Sequence, residues 1–584
     1  MQVSRRQLFG LLAAAPSAFS AGRRRPNIVV LLADDQAWGD LSVTGNRNLS
    51  TPNVDSLARD GALFDRFYVC AVCAPTRAEF LTGRYRARGG VRGVSQGEER
   101  LNLDERTIAE TFRANGYATG AFGKWHNGSQ FPYHPNARGF DEYYGFTAGH
   151  WPNYFNTQID HNGTLTKGKG YVTDDLTDHA LAFIEQHKSR PFLCYVPYNT
   201  PHSPMQVPDK YWNKFKDFDP PMRDSTPGRE NIQMTRAALA MCESIDDNVG
   251  RVLRKLDELK LAGDTIVVYF SDNGPADWRW NGGMRGKKGS TDEGGIRSPL
   301  MIRWPGNIPS GTRVTQIAGA IDLLPTLADL AGIPLDSKKP LDGKTLKPLL
   351  TGAGPSNWPD RMIFSLQGKK ISVRTQQYRL DDQGRLYDIP SDPGQTRDVA
   401  AANPEVASRL RKAVADWSAE MLPQVGHDDR PFPVGYSKVT WLPARDGMAS
   451  GGIKRSSIHP NSAYFTNWTT RDGEISWDIE VGAAGVFDIT AEYTCPAADI
   501  GTTVELAFLG TKASAHVSTA FDPPEQGAAE DRVPRIESYF KEFRPLSFGR
   551  VRLPKGRGNL TLRANEIRGK QVADIFSLLL TRRS

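Results

Sequence analysis

The chain has 584 residues, too many for one ordinary core, so roughly two to four folded units are expected. With 39% hydrophobic and 24% charged residues it has a globular composition, and its net charge of +7 is small for the length. No basic stripe interleaved with aromatics marks a nucleic-acid binder, and five cysteines in so long a chain exclude a disulfide framework.

The chain opens with Ser4-Arg5-Arg6-Gln7-Leu8-Phe9, a twin-arginine pattern, followed by a short apolar run to Ala15 and a small-residue cleavage signal at Ala18-Phe19-Ser20. Residues 1–21 are therefore expected to be an export signal handled by the twin-arginine machinery, giving a periplasmic or secreted protein. No stretch reaches the length of a membrane span.

Asn27 to Ala33 is an unbroken apolar run ending in Asp34 and Asp35. Continuous rather than alternating hydrophobicity predicts a strand buried on both faces, with the two acids at its carboxyl end, where α/β sheets place their sites. A solvated turn after a strand is the plainer alternative. Thr51 to Ala58 reads as a capped helix. It leads to Cys70-x-x-Cys73, with Pro75 and Arg77 following. Pro75 is tolerated in a first helical turn, so Cys73 is expected at the positive end of a helix beside Arg77, a site suited to an anion. A redox pair, half a zinc site and a buried thiol also fit this local pattern.

Further on, Ala118 to Phe122 predicts a short strand, with Lys124 and His126 after it on a Gly-hinged turn. The strand Phe192 to Tyr198 runs into Pro201-His202-Ser203-Pro204, where two prolines restrict the histidine. Met234 to Leu259 has apolar residues at helical spacing and reads as a core helix with Cys242 a buried thiol. Asp264 to Gly274 repeats the first theme, a buried strand ending in the oxygen ligands Asp272 and Asn273. With Asp34 and Asp35 these make a four-residue cluster suited to a hard divalent cation. From 362 to 421 short strands precede an amphipathic helix starting at Pro404. Residues 422–440 read as a linker, and 441–584 as a β-sandwich of short alternating strands.

Cys73-Ala74-Pro75-Thr76-Arg77 followed by Leu81-Thr82-Gly83-Arg84 resembles the signature of the type I, formylglycine-dependent sulfatases. Gly116-Tyr117 with Gly123-Lys124-Trp125-His126 is similar to the second motif of that family. The segment Arg285-Gly286-Lys287-Lys288 to Glu293-Gly294-Gly295-Ile296-Arg297 resembles a third and assigns the functional lysine to Lys288, with Lys287 beside it. The resemblance covers about residues 26–421. It implies an alkaline-phosphatase-like α/β fold, a large mixed and mostly parallel sheet flanked by helices, over 26–350. A small antiparallel C-terminal subdomain at 351–421 would follow. Separately, the sandwich at 441–584 resembles the carbohydrate-binding-like jelly-roll modules appended to polysaccharide enzymes, with a packing or dimerisation appendage as the plainer alternative. The sulfatase resemblance also implies a Ca2+ ion, or Mg2+, held by Asp34, Asp35, Asp272, Asn273 and the modified Cys73. A maturation enzyme would oxidise that cysteine to formylglycine. Arg77 and Lys124 would hold the nucleophile region, His126 would accept its proton, and His202 with Lys288 would bind sulfate and protonate the leaving alcohol. The expected substrate is a sulfated carbohydrate or aryl sulfate. A phosphonate or phosphate diester hydrolase on the same scaffold is the main rival, followed by a non-catalytic glycan binder and a thiol redox protein using Cys70 and Cys73.

Overall fold

The computed structural model describes residues 25–352 and 358–583; the export segment expected at 1–21 lies outside them. An 11-stranded sheet organises the first part of the chain. Its order runs Thr312–Val314, Ala62–Tyr68, Arg297–Arg303, Thr265–Ser271, Asn27–Ala33, Phe192–Pro197, Ala118–Lys124, Glu142–Phe146, Gln158–His161 and Thr164–Lys167, with Ala318–Gly319 added beside Ala62–Tyr68. The centre is parallel: Asn27–Ala33 pairs in parallel with strands on both sides, while Arg297–Arg303 and the Gln158–Lys167 hairpin are antiparallel.

The reason for the unbroken apolar runs is visible in the packing. All seven residues of Asn27–Ala33 are buried. Val29, Leu31 and Ala33 pack into one core with the Val172–Gln186 and Ile232–Glu258 helices. Ile28, Val30 and Leu32 pack into a second core with Cys73–Thr82, Ile108–Ala114 and Leu323–Leu330. A strand covered on both faces has no polar side, so its pattern cannot alternate.

A four-stranded antiparallel sheet, Ile363–Gln367, Lys370–Arg374, Tyr378–Leu380 and Leu386–Asp388, follows and packs against the Pro404–Val425 helix. Two six-stranded sheets then stack around Trp468, Trp477, Ile479, Ile489, Leu562 and Leu578. The stretch expected as a linker, 422–440, is structured at both ends and in its middle. The helix continues to Val425, Phe432–Val434 pairs with Glu474–Val481, and Val439–Pro443 pairs with Asp574–Arg582. Pro433 is compatible with this because Phe432–Val434 is a short edge strand. Among the described residues no helix is long and apolar enough to cross a membrane.

Candidate active site

Parallel pairing brings the acidic strand ends together. Ala33 lies opposite Ser271, so Asp34-Asp35 and Asp272-Asn273 leave the sheet side by side, and the Asp272 N–H donates to the Ala33 carbonyl at 3.1 Å. The Asp34 N–H donates to Thr200 O at 3.0 Å, which draws in the turn carrying His202. Lys124 is the last residue of its strand rather than part of the turn after it, because the parallel ladder with Glu142–Phe146 extends to it. His126 follows with φ 62°, and Asp35 has φ 66°. Two non-glycine residues in the left-handed region at one place mark a backbone held against its preference, a feature concentrated at functional sites.

Cys73 is the first residue of the Cys73–Thr82 helix, which is buried along its whole length. Thr76 pins this helix to the neighbouring strand end: its hydroxyl donates to Asp272 O at 2.6 Å and accepts from Cys70 N–H at 2.8 Å. Arg77 donates to Asp272 Oδ2 at 3.1 and 2.7 Å and to Lys124 O at 2.8 Å. Lys124 Nζ meets Asp34 Oδ2 at 2.6 Å. Lys288 Nζ sits 2.7 Å from Asp35 Oδ1, and Asn273 Nδ2 donates to the same oxygen at 2.7 Å. Gly274 makes room for the Lys288 segment, since a Cβ there would fall 2.0 Å from Gly294 O. His202 Nε2 is 3.7 Å from Asp35 Oδ2. All ten residues expected from the sequence therefore belong to one neighbourhood.

Burial and charge set their states. Burial pushes Asp272 up to about 6, reinforced by Asp34 and opposed by Arg77. Burial acts the same way on Asp35, but Lys288, His202 and Lys124 outweigh it and hold the carboxyl well below the usual range. The Lys288 ammonium resists its own burial because Asp35 faces it, and its pKa is raised. Burial and Lys288 pull His202 down to about 4. Burial, then Lys124, hold His126 low, so its ring is neutral near pH 7. His126 Nε2 lies 2.7 Å from Val94 O, which fixes the proton on Nε2 and leaves Nδ1, buried and unpartnered, as a bare lone pair. The Cys73 thiol is pushed up to about 12 by burial, so it is not a thiolate. Cys70 and Cys73 are both free, and burial followed by Glu79 raises Cys70 as well, which removes the basis for a thiol redox pair.

The donor set fits a cation. Ligand atoms of Asp34, Asp35, Cys73 and Asp272 lie within 4.8 Å of one another. Asp34 Oδ1 and Asn273 Oδ1 are buried without a hydrogen-bond partner. Two orphaned oxygens at the meeting point of three carboxylates are costly unless a cation satisfies them, and the oxygens of Asp34, Asp35, Asp272 and Asn273 suit a hard divalent ion.

Several members of the site escaped the sequence reading. Thr76 carried no role in the sequence reading. Arg279 bonds Asp40 Oδ1 at 2.8 Å and Asp35 O at 3.2 Å, bracing the acidic turn from behind. His150 opens the aromatic, polar run His150 to Tyr154 that the sequence offers as a sugar-lining loop; its stacking on His202, with ring centres 5.8 Å apart, is what the sequence did not reveal. The signal for Arg279 was a cation inside the aromatic, glycine-rich run Trp278 to Gly283; nothing local paired it with Asp40.

Known proteins resemble this chain in sequence and fold. A family model described as Sulfatase matches residues 26–333, and one described as N-sulphoglucosamine sulphohydrolase, C-terminal, matches 287–420. The chain is 31% identical over 408 residues to the N-acetylgalactosamine-6-sulfatase of Sus scrofa, covering 64% of this chain and 74% of that protein. It is 30% identical over 478 residues to the arylsulfatase A of Homo sapiens, covering 69% and 89%. Among solved structures, Ps i-CgsB in complex with k-i-k-neocarrahexaose superposes with a TM-score of 0.63 at 30% identity, covering 70% of this chain and 96% of that one. The fold and site define an alkaline-phosphatase-like hydrolase. The chain belongs to the sulfatase family, and it is an arylsulfatase-like enzyme that hydrolyses sulfate esters.

Proposed function

We propose that the enzyme releases inorganic sulfate from a sulfated carbohydrate, using formylglycine made from Cys73 and a Ca2+ ion, or Mg2+ in its place. The observation that carries this reading is the charge arrangement around residue 73: Asp34, Asp35 and Asp272 face Arg77, Lys124 and Lys288, with two buried acceptor oxygens left over. Asp34, Asp35, Asp272, Asn273 and the modified residue 73 would hold the cation. The cation would supply charge stabilisation to a sulfuryl group under transfer, and the aldehyde hydrate would supply one hydroxyl to attack sulfur and another to drive release of sulfate.

The chain's own residues carry the rest. A monoester, ROSO3−, and water yield ROH, sulfate and one proton, so the site must hold an anion and move protons. Arg77 fixes Asp272 and the Lys124 carbonyl, which sets the position of the helix start beneath residue 73. Lys124, fully buried, and Lys288, partly buried against Asp35, supply positive charge where it counts for more than at the open surface. The bare Nδ1 of His126 accepts a proton from the side chain at 73. His202 is neutral in the free site, and an anionic sulfate ester beside it favours its protonated form. With Lys288 it then binds sulfate and gives a proton to the leaving alcohol. The thiol as encoded supplies none of this chemistry, since burial keeps it protonated.

The names of the relatives, acting on N-acetylgalactosamine-6-sulfate groups in one case and crystallised with neocarrahexaose in another, support a sulfated sugar as substrate. A formylglycine-generating partner and twin-arginine export to the periplasm or medium complete the proposal. The deciding experiment compares turnover of 4-nitrophenyl sulfate with that of an aryl phosphodiester. Sulfatase preference that EDTA abolishes and Ca2+ restores is expected; a strong phosphodiesterase preference would overturn the reading.

A further inference from the structure

The C-terminal sandwich reaches the catalytic histidines. Between its strands Thr511–His516 and Arg544–Leu553, the chain leaves the sandwich and lies on the catalytic domain. Fully buried Gln206 donates to Gly527 O and Asp531 Oδ1, both at 2.9 Å, and Arg532 N–H donates to Met205 O at 2.9 Å. Asp531 pairs with Arg535 at 2.5 Å, and Arg535 donates to the Pro152 carbonyl. These ties anchor the next two residues over the active site. Ile536, Glu537 and Val533 line a cleft of about 390 Å3 whose opposite wall includes Asp35, Pro201, Asp277 and Lys287.

Glu537 ends on the turn that presents His202. Its carboxylate accepts a hydrogen bond from Ser203 Oγ. His202 Nδ1 donates to Ser203 O at 2.7 Å, which leaves Nε2 directed at Asp35. A second element of the sandwich acts on the other side. Asn461 Oδ1 accepts from Gly149 N–H at 3.2 Å, and Ser462 Oγ lies 3.0 Å from Nε2 of His150, the ring stacked on His202. Gly149 itself is wedged between the domains: a Cβ there would sit 2.7 Å from His126 Nε2 and 2.6 Å from Asn461 Nδ2. Other polar ties between the sandwich and the catalytic domain, such as Gln130 to Asp446 and Arg445 to Ser129, lie elsewhere on the interface. Those of Glu537 and Ser462 reach Ser203, beside His202, and His150, the ring stacked on it.

We propose that Glu537 is a positioning residue for sulfate-ester hydrolysis, holding the His202 turn through Ser203, and that the sandwich thereby completes the active site. This rests on the role given to His202 above. A detached sugar-binding module would need no such link.

The test uses the full-length, matured enzyme and 4-nitrophenyl sulfate. Glu537→Ala is expected to lower kcat about tenfold with KM nearly unchanged, because the loss is one of alignment rather than of uniform binding. Glu537→Gln keeps an acceptor for Ser203 and is expected to recover activity to within about threefold of wild type. The Ser203→Ala/Glu537→Ala double variant should lose no more than the worse single variant, as expected of two residues acting as one unit. Hydrogen exchange of the 198–207 segment should quicken in Glu537→Ala and not in Glu537→Gln. Wild-type kcat in Glu537→Ala, equal losses in the Ala and Gln variants, additive losses in the double variant, or unchanged exchange would each overturn the proposal. A wild-type enzyme inactive on sulfate esters would instead defeat the functional reading, and the exchange measurement would still decide whether Glu537 holds the turn.

Discussion

Arg77 is the residue whose removal tests the electrostatic logic of the site most severely. Its guanidinium is fully buried and meets Asp272 Oδ2 through two bonds, with Asp34 Oδ1 3.8 Å away. Burial opposes its charge, but Asp272 leads the groups that raise its pKa, so it stays protonated at any working pH. Arg77→Met keeps much of the side-chain volume and strands Asp272 without its cation. Breaking a buried pair by removing one partner costs about 3–5 kcal/mol, equivalent to roughly 5 °C in the melting of a domain this large. The loss depends on pH with a definite sign. Asp272 already has a folded-state pKa raised from 3.8 to about 6, so its ionised form works against folding. Losing Arg77 raises that value further. A carboxyl with a raised folded-state pKa favours folding at low pH, and the advantage is lost as pH rises through the folded value, so the deficit should widen from about pH 5 to about pH 8. Added Ca2+ should restore more melting temperature to the variant than to wild type, because the cation neutralises the same oxygens. Thermal unfolding of EDTA-treated protein at both pH values, with and without Ca2+, reads all three effects. A deficit under about 1 kcal/mol, or one equal at both pH values, would refute the reasoning.

Two further perturbations follow from the same geometry. Lys288→Ala should lower kcat/KM by about a hundredfold or more, while Lys287→Ala, whose Nζ instead caps Ala276 O at 2.5 Å, should cost less than about fivefold; steady-state kinetics on 4-nitrophenyl sulfate separate them, and the reverse order would reassign the lysine. Glu79 is buried and pushed by that burial from 4.5 up to about 7. Its contribution to folding is therefore fully present below about pH 4.5 and lost as pH rises through about 7, by at most about 3 kcal/mol. Glu79→Gln, which cannot ionise, should melt higher than wild type near pH 8.5 and converge with it near pH 5; a lower melting temperature at pH 8.5 would contradict this.

The parts of the site read most easily from sequence are those where chemistry and strand share one short run. Asn27–Ala33 with Asp34-Asp35, and Thr265–Ser271 with Asp272-Asn273, each announce a doubly buried strand and the ligands at its end. The Cys73 helix was legible because Pro75 and Arg77 follow at fixed offsets. What escaped is joined across long separations without local pattern. Thr76 reaches Asp272 over 196 residues, and Ser203 reaches Glu537 over 334. No periodicity encodes such pairs, since each side chain looks like a solvated polar residue until the fold buries it. The 422–440 stretch misled for a related reason: its prolines and glycines suit edge strands as well as linkers, and only the partner strand decides between them.

Formylglycine at position 73 is the claim on which the mechanism stands, and mass spectrometry of the 66–84 peptide from catalytically active enzyme tests it most directly. Conversion of the thiol to an aldehyde should make the peptide about 18 Da lighter than its sequence requires, a change absent from the ordinary cysteine oxidation ladder. Fully active enzyme that carries an unmodified Cys73 thiol would contradict it.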